Sequence, residues 1–182
     1  AASKTVEFTK DTDYGIGDGP RFFISDVSEE LDAPGEYWID RESGTLYAYE
    51  PTGDISICIG GEFINAQSSY LTFRGFTFIN SSFRPVLIIG DHLNLDKCTI
   101  KNADGCLRVG GRDIHITENE FCNLTGLCIY VVGYETDKEF MLDSGILIDN
   151  NLFHDFAKVD KTYSPAVNLD GGISGVVISH NE

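Results

Sequence analysis

Leu93-Asn94-Leu95-Asp96-Lys97-Cys98-Thr99-Ile100-Lys101-Asn102 and Ile114-His115-Ile116-Thr117-Glu118-Asn119-Glu120-Phe121-Cys122-Asn123 are two copies of one pattern. An apolar residue is followed by another two positions on, a landmark residue at five, an apolar residue at seven and Asn or Asp at nine. The same offsets recur upstream in Leu71, Phe73, Phe76, Phe78 and Asn80, and downstream in Ile146, Ile148, Asn151, Phe153 and Asp155. A fifth copy, Val176, Ile178 and Asn181, breaks off at Glu182. Successive copies start 22, 21, 32 and 30 residues apart. Apolar residues at two-residue spacing bury one face of a short strand. A period of this length, with Asn at the corners, predicts a stacked β-solenoid.

Each copy continues into a third apolar segment: Leu87/Ile89, Leu107/Val109, Ile129/Val131 and Val167/Leu169. Glycine follows soon after, at Gly90, Gly110-Gly111, Gly133 and Gly171-Gly172. Three short strands and three corners per turn describe a parallel β-helix. The landmark position holds Phe76, Cys98, Asn119, Asn151 and Asn181. Asparagine tolerates left-handed corners, and stacked copies can hydrogen-bond along the axis as a ladder. A leucine-rich repeat would need a Leu consensus and a helical stretch. The strand-like spacing opposes helical repeats, and offsets kept over consecutive copies oppose a β-sandwich.

Lys plus Arg total 13 against 29 Asp plus Glu, for a net charge of −16. Nucleic acid and anionic membrane surfaces are recognised through basic patches, so neither is expected as a partner. No apolar run reaches the length of a membrane span, and none is expected to insert. The opening Ala1-Ala2-Ser3 and the interrupted last copy lead us to expect a piece of a longer protein. Five cysteines (Cys58, Cys98, Cys106, Cys122, Cys128) lack metal-ligand spacing. Cys106 and Cys128 hold equivalent positions in neighbouring copies, which allows either a disulfide or two buried thiols.

Residues 1–60 lack the repeat and are expected to form a β-rich cap or subdomain, with the coils occupying 61–182. Tyr37-Trp38-Ile39-Asp40 and Thr45-Leu46-Tyr47-Ala48-Tyr49 flank Arg41-Glu42-Ser43-Gly44 as a hairpin would. Ser28 to Asp32 reads as one helical turn, Ile55 to Ile59 as a strand, and Glu62 to Ala66 as the first coil strand. The aromatics Phe22, Phe23, Tyr37, Trp38, Tyr47 and Tyr49 suit either a small core or sugar-stacking platforms.

Glu30-Leu31-Asp32-Ala33-Pro34-Gly35-Glu36-Tyr37-Trp38-Ile39-Asp40 with Gly44-Thr45-Leu46-Tyr47 resembles the lead-in of large bacterial right-handed parallel β-helix proteins. Ser69-Tyr70-Leu71-Thr72-Phe73-Arg74-Gly75-Phe76-Thr77-Phe78 resembles the segment that opens their helix. Ile148-Asp149-Asn150-Asn151-Leu152-Phe153-His154-Asp155 and Ile178-Ser179-His180-Asn181-Glu182 are similar to their Asn-rich coils. The resemblance spans nearly the whole chain. It implies a right-handed coil and a carbohydrate-active protein: a glycoside hydrolase or a polysaccharide lyase, extracellular, periplasmic or on the cell surface. The same coils also serve non-catalytic glycan-binding and structural modules.

The long copies point to one face. Their extra residues fall mainly between Val131 and Ile146 and between Asp155 and Val167, on either side of the third strand. Loops there would wall a groove over Ile88, Arg108, Tyr130, Asn168 and Asp170, the residues that alternate with the apolar ones. Arg, Tyr, Asn and Asp in a row suit a sugar chain, whose hydroxyls take polar groups and whose faces take aromatic rings. Hydrolysis needs two carboxylates, about 5–5.5 Å apart for retention and about 6.5–9.5 Å for inversion. Asp170 is the leading acid, with Asp143 or Asp155 as partner, or an acid beyond Glu182. Asp170 also reads as the turn residue before Gly171-Gly172, and Asp155 as a corner acceptor. His154 and His180 follow Asn corners and are candidate sugar contacts or solvated structural residues. Hydrolysis calls for no cofactor. A lyase would use a base, with Arg108, Lys158, Lys161 or Ca²⁺ neutralising a uronate.

Overall fold

The computed structural model describes residues 7–12, 15–19, 24–58, 60–133 and 143–182. The chain divides into two compact units, Ala1–Ile55 and Ser56–Glu182. In the first, β1 (Tyr37–Asp40) and β2 (Thr45–Ala48) pair antiparallel, Trp38 opposite Tyr47 with their rings stacked at 5.6 Å. The turn closes because the Asp40 carboxylate accepts the Glu42 amide at 3.0 Å and the Ser43 hydroxyl. Ser28–Glu30 forms a single 3₁₀ turn, tighter than the helical turn expected. Phe22 and Phe23 lie outside the described residues.

The second unit is an all-β right-handed parallel β-helix, with no α-helix among the described residues. Sheet I stacks β4 (Thr72–Arg74), β7 (Leu93–Asp96), β10 (Ile114–Thr117), β13 (Leu147–Asp149) and β16 (Val177–Ser179) in that order. Sheet II stacks β5 (Thr77–Ser81), β8 (Thr99–Ala103), β11 (Glu120–Leu124) and β14 (Leu152–His154). Sheet III stacks β3 (Ile64–Gln67), β6 (Val86–Ile89), β9 (Leu107–Gly110), β12 (Ile129–Val132) and β15 (Val167–Asp170). Every pairing between coils is parallel, and equivalent offsets meet: Leu95 beside Ile116 beside Ile148, and Ile100 beside Phe121 beside Phe153. These columns fill the interior, where Ile100, Ile116, Phe121, Val131 and Ile148 are fully buried.

Among the described residues, the coils turn at corners marked by residues with positive φ. Tyr70, His92, Asp113, Gly145 and Gly175 precede sheet I. Gly75, Lys97, Glu118, Asn150 and His180 stand between sheets I and II; Asn80, Asn102 and Asn123 are the second-last residues of their sheet II strands, and Asp155 follows β14. The landmark asparagines come one residue after the second corner and point inward, a correction to the expectation that they themselves are left-handed. Asn119 and Asn151 are 2% exposed. The Asn151 carbonyl oxygen accepts both the backbone amide (3.0 Å) and the side-chain amide (2.9 Å) of Asn119. Asn181 does the same for Asn151, and each amide also donates to a carbonyl of sheet I. The expected ladder therefore runs inside the wall. A second, exposed ladder links the left-handed Asn80, Asn102 and Asn123.

Two other expectations need correcting. Ile55 to Cys58 is not a strand; Ile55 and Ile57 are exposed, and the segment lies outside every sheet. Ile59 lies outside the described residues. In β6 the inward residues are Val86 and Ile88, at 0% and 2% exposure, whereas Leu87 and Ile89 face out. All four are apolar, so alternation cannot set their phase. Register does: Ile88 pairs with the buried Val109, and Leu87 with Arg108.

All five cysteines are free thiols, so Cys106, half-buried, and Cys128, buried, act as small apolar spacers. Burial pushes their thiol pKa values up to about 11 and about 12. No helix among the described residues is long and apolar enough to cross a membrane.

Candidate functional site

Parallel stacking sets equivalent side chains one coil apart, about 4.8 Å. On the outer side of sheet III this gives two rows. One runs Asn65, Leu87, Arg108, Tyr130, Asn168, and the other Gln67, Ile89, Gly110, Val132, Asp170. Four of the residues singled out from sequence are thereby brought together. The Arg108 guanidinium lies 5.0 Å from the centre of the Tyr130 ring. Asn168 is the strand partner of Tyr130. The Tyr130 hydroxyl donates to an Asp170 carboxylate oxygen. Ile88, expected in this row, is in the core, and Leu87 takes its place.

The Asp170 hydrogen bond stabilises the protonated phenol and raises the Tyr130 pKa above its ordinary 10. Asp170 ends its strand just before Gly171, whose φ of +84 turns the chain away. The turn residue and the row acid are therefore the same residue, with the carboxylate on the row.

The other predicted residues sit elsewhere. Asp155 makes the corner after β14, with its carboxylate against His154 Nδ1 at 3.0 Å. That hydrogen bond, and the nearby Lys158 ammonium, hold its pKa below the usual 3.8. Asp143 joins Ser174 in a parallel bridge and accepts the Gly145 amide at 2.9 Å, bracing the corner before sheet I. His180 makes the corner after β16, its Nδ1 2.7 Å from Asp149. The Ser179 hydroxyl, then His180, hold the Asp149 carboxyl below its usual range. His154 caps the sheet II face, bonded to Asp155 and, through Nε2, to Glu120 at 3.2 Å, and both raise its pKa above 6.5. Thus neither Asp143 nor Asp155 joins Asp170 in the outer rows of sheet III.

Of the two expected walls, 134–142 lies outside the described residues. The other, 156–166, folds over the corner that leads into β12. The amides of Ala157, Lys158, Val159 and Asp160 donate to carbonyls of Leu124, Thr125 and Gly126.

One concavity was not foreseen. A cavity of about 480 Å³ opens along the corner between sheets I and II, with Lys97, Glu118, Glu120, Asn150, Leu152 and His180 among its lining residues. Its sequence signal is the corner position itself, which carries long polar side chains in four successive copies: Lys97, Glu118, Asn150 and His180.

Comparison with protein-family models, curated proteins and solved structures finds no match for this chain. The fold and the chemistry of its faces therefore carry the functional argument.

Proposed function

We propose that this is a carbohydrate-active β-helix, in which a glycan chain lies along the outer side of sheet III and Asp170 takes part in glycosidic hydrolysis. The observation that carries the reading is the contiguous Arg108–Tyr130–Asp170 cluster across the two outer rows, which sets a cation–π pair beside an anchored carboxylate. A pyranose offers an apolar face for the ring and hydroxyls for Asn168, Arg108 and Asp170. The high negative charge favours a neutral glycan over a polyanionic one. Tyr130 is a poor lyase base, because its proton is held by Asp170.

A non-catalytic glycan-binding module is the second reading. It is favoured by the separation of the acids, since Asp143 and Asp155 both serve corners. An extracellular or cell-surface setting goes with either.

Glycan-array binding with product analysis separates the readings. Reducing ends that disappear in Asp170→Asn support hydrolysis. Retention without turnover, weakened about tenfold or more by Tyr130→Ala as an aromatic anchor, supports the binding module. Unsaturated products identify a lyase. Binding that survives both Tyr130→Ala and Arg108→Ala removes sheet III from the account.

A further inference from the structure

Sheet II carries a second constellation on its outer side, independent of the glycan reading. Glu120 and Cys122 are two apart on β11, and Phe121 between them is fully buried in the core, so both point outward. Parallel register sets His154 of the next coil beside Cys122. One ligand-type atom from each of Glu120, Cys122 and His154 lies within 4.8 Å of the other two. Cys98 and Cys128 belong to the hydrophobic core cluster, whereas Cys122, although 9% exposed, does not.

The histidine is held between two carboxylates. Its Nδ1 lies 3.0 Å from the Asp155 carboxylate, and its Nε2 lies 3.2 Å from Glu120 Oε1. A neutral imidazole has one N–H and one lone pair. With Nδ1 turned to Asp155, Nε2 is the ring atom presented to Glu120, and in the Nδ1–H tautomer its lone pair can bind a cation there. A proton on Nε2 satisfies the histidine–carboxylate pair as well, so the sulfur beside it is what marks the cluster as a metal site. The thiol alongside adds a sulfur donor to the nitrogen and oxygen donors, the set that divalent zinc takes with bonds of about 2.0–2.3 Å. Two ligands on a tetrahedral ion stand about 3.4 Å apart by those bond lengths, close to the 3.2 Å between His154 Nε2 and Glu120 Oε1.

We propose that Glu120, Cys122 and His154 form a three-ligand site for a thiophilic divalent cation of the zinc class, with a fourth position open to solvent. Asp155 is a positioning residue: it holds the ring so that Nε2 faces the site. Thr99 Oγ1 lies 3.4 Å from Glu120 Oε2, which leaves Oε1 turned to the cation. Carboxylates behind a ligating histidine, and hydrogen bonds on a ligating carboxylate, are what such sites use to fix ligand orientation. Binding releases the Cys122 proton to solvent and forms the thiolate–metal bond with no change of oxidation state. Lys101, the strand partner of Cys122, and Lys158, near Asp155, flank the cluster with positive charge.

Cobalt(II) titration of the protein tests this, because a thiolate ligand gives a near-ultraviolet charge-transfer band and a tetrahedral site gives intense visible bands. We expect both bands to saturate at one equivalent and to be displaced by zinc. Cys122→Ser abolishes the charge-transfer band, while Cys58→Ser leaves it. His154→Gln, at a half-exposed position, weakens binding at least about tenfold, and Asp155→Asn weakens it about 10–100-fold. If Cys122→Ser fails to fold, His154→Gln decides alone. The site is overturned by the absence of the charge-transfer band in the wild type, by its persistence in Cys122→Ser, or by affinity unchanged in His154→Gln.

Discussion

Asn151 accepts from Asn119, donates to Asn181 and to the Ile116 carbonyl, and does so with 2% of its surface exposed. A buried polar group without partners costs about 1–3 kcal/mol. Asn151→Leu keeps the branched shape but removes the acceptor of the Asn119 backbone amide, and leaves the Asn181 oxygen only the residue 151 backbone amide. We expect it to cost roughly 2–4 kcal/mol by equilibrium denaturation. Asn102→Gly, on the exposed ladder, should stay within about 0.5 kcal/mol, because glycine keeps the left-handed corner at no steric cost. Tyr130 gives a second test at this scale. Its pKa is raised in the folded state, so the Tyr130–Asp170 contribution is complete below the unfolded tyrosine value of 10 and is lost as pH rises through the folded value. A phenolate titration read at Tyr130, by difference against Tyr130→Phe, should show a midpoint above 10 that returns toward 10 in Asp170→Asn.

The strand Val86-Leu87-Ile88-Ile89 shows how far a sequence pattern reaches. Where polar and apolar residues alternate, as in Leu93-Asn94-Leu95-Asp96, the inward face is legible because burial acts on alternate side chains. Where four apolar residues run together, the phase comes from the neighbouring coil. Ile88→Ala should therefore cost about 2–5 kcal/mol and Leu87→Ala under about 1 kcal/mol, measured by denaturation; the reverse order would restore the phase expected from sequence. The corners were legible in period but not in detail. Lys97 and Glu118 carry no left-handed signature, yet both have a φ of 54° because the coil must turn where they stand. Arg108, Tyr130, Asn168 and Asp170 could be grouped from sequence because regular stacking places equal offsets side by side. Asp155 and His154 could not be placed on that face, since their offsets belong to sheet II and its corner. Glu120 and Cys122 escaped notice because the site they make with His154 spans a 32-residue copy, so no local spacing reveals it.

A solenoid's stability is close to a sum over coils and their nearest neighbours, so it differs along the axis. The central coils bury Ile114, Ile116, Ile129 and Val131 between neighbours on both sides. Native-state amide exchange should show stronger protection from β7 to β12 than in the β1–β2 hairpin. Uniform protection along the chain would mean a single cooperative unit. The net charge of −16 comes from side chains outside the apolar columns, and the asparagine ladder carries no group that acid titrates. The most direct test of the whole account is an NMR measurement of contacts between backbone protons of successive coils. It should connect Leu95 with Ile116 and Ile116 with Ile148 in parallel register, together with side-chain amide contacts from Asn119 to Asn151 to Asn181. Antiparallel contacts between these strands, or a helical pattern across residues 93–124, would contradict the coil and remove both faces with it.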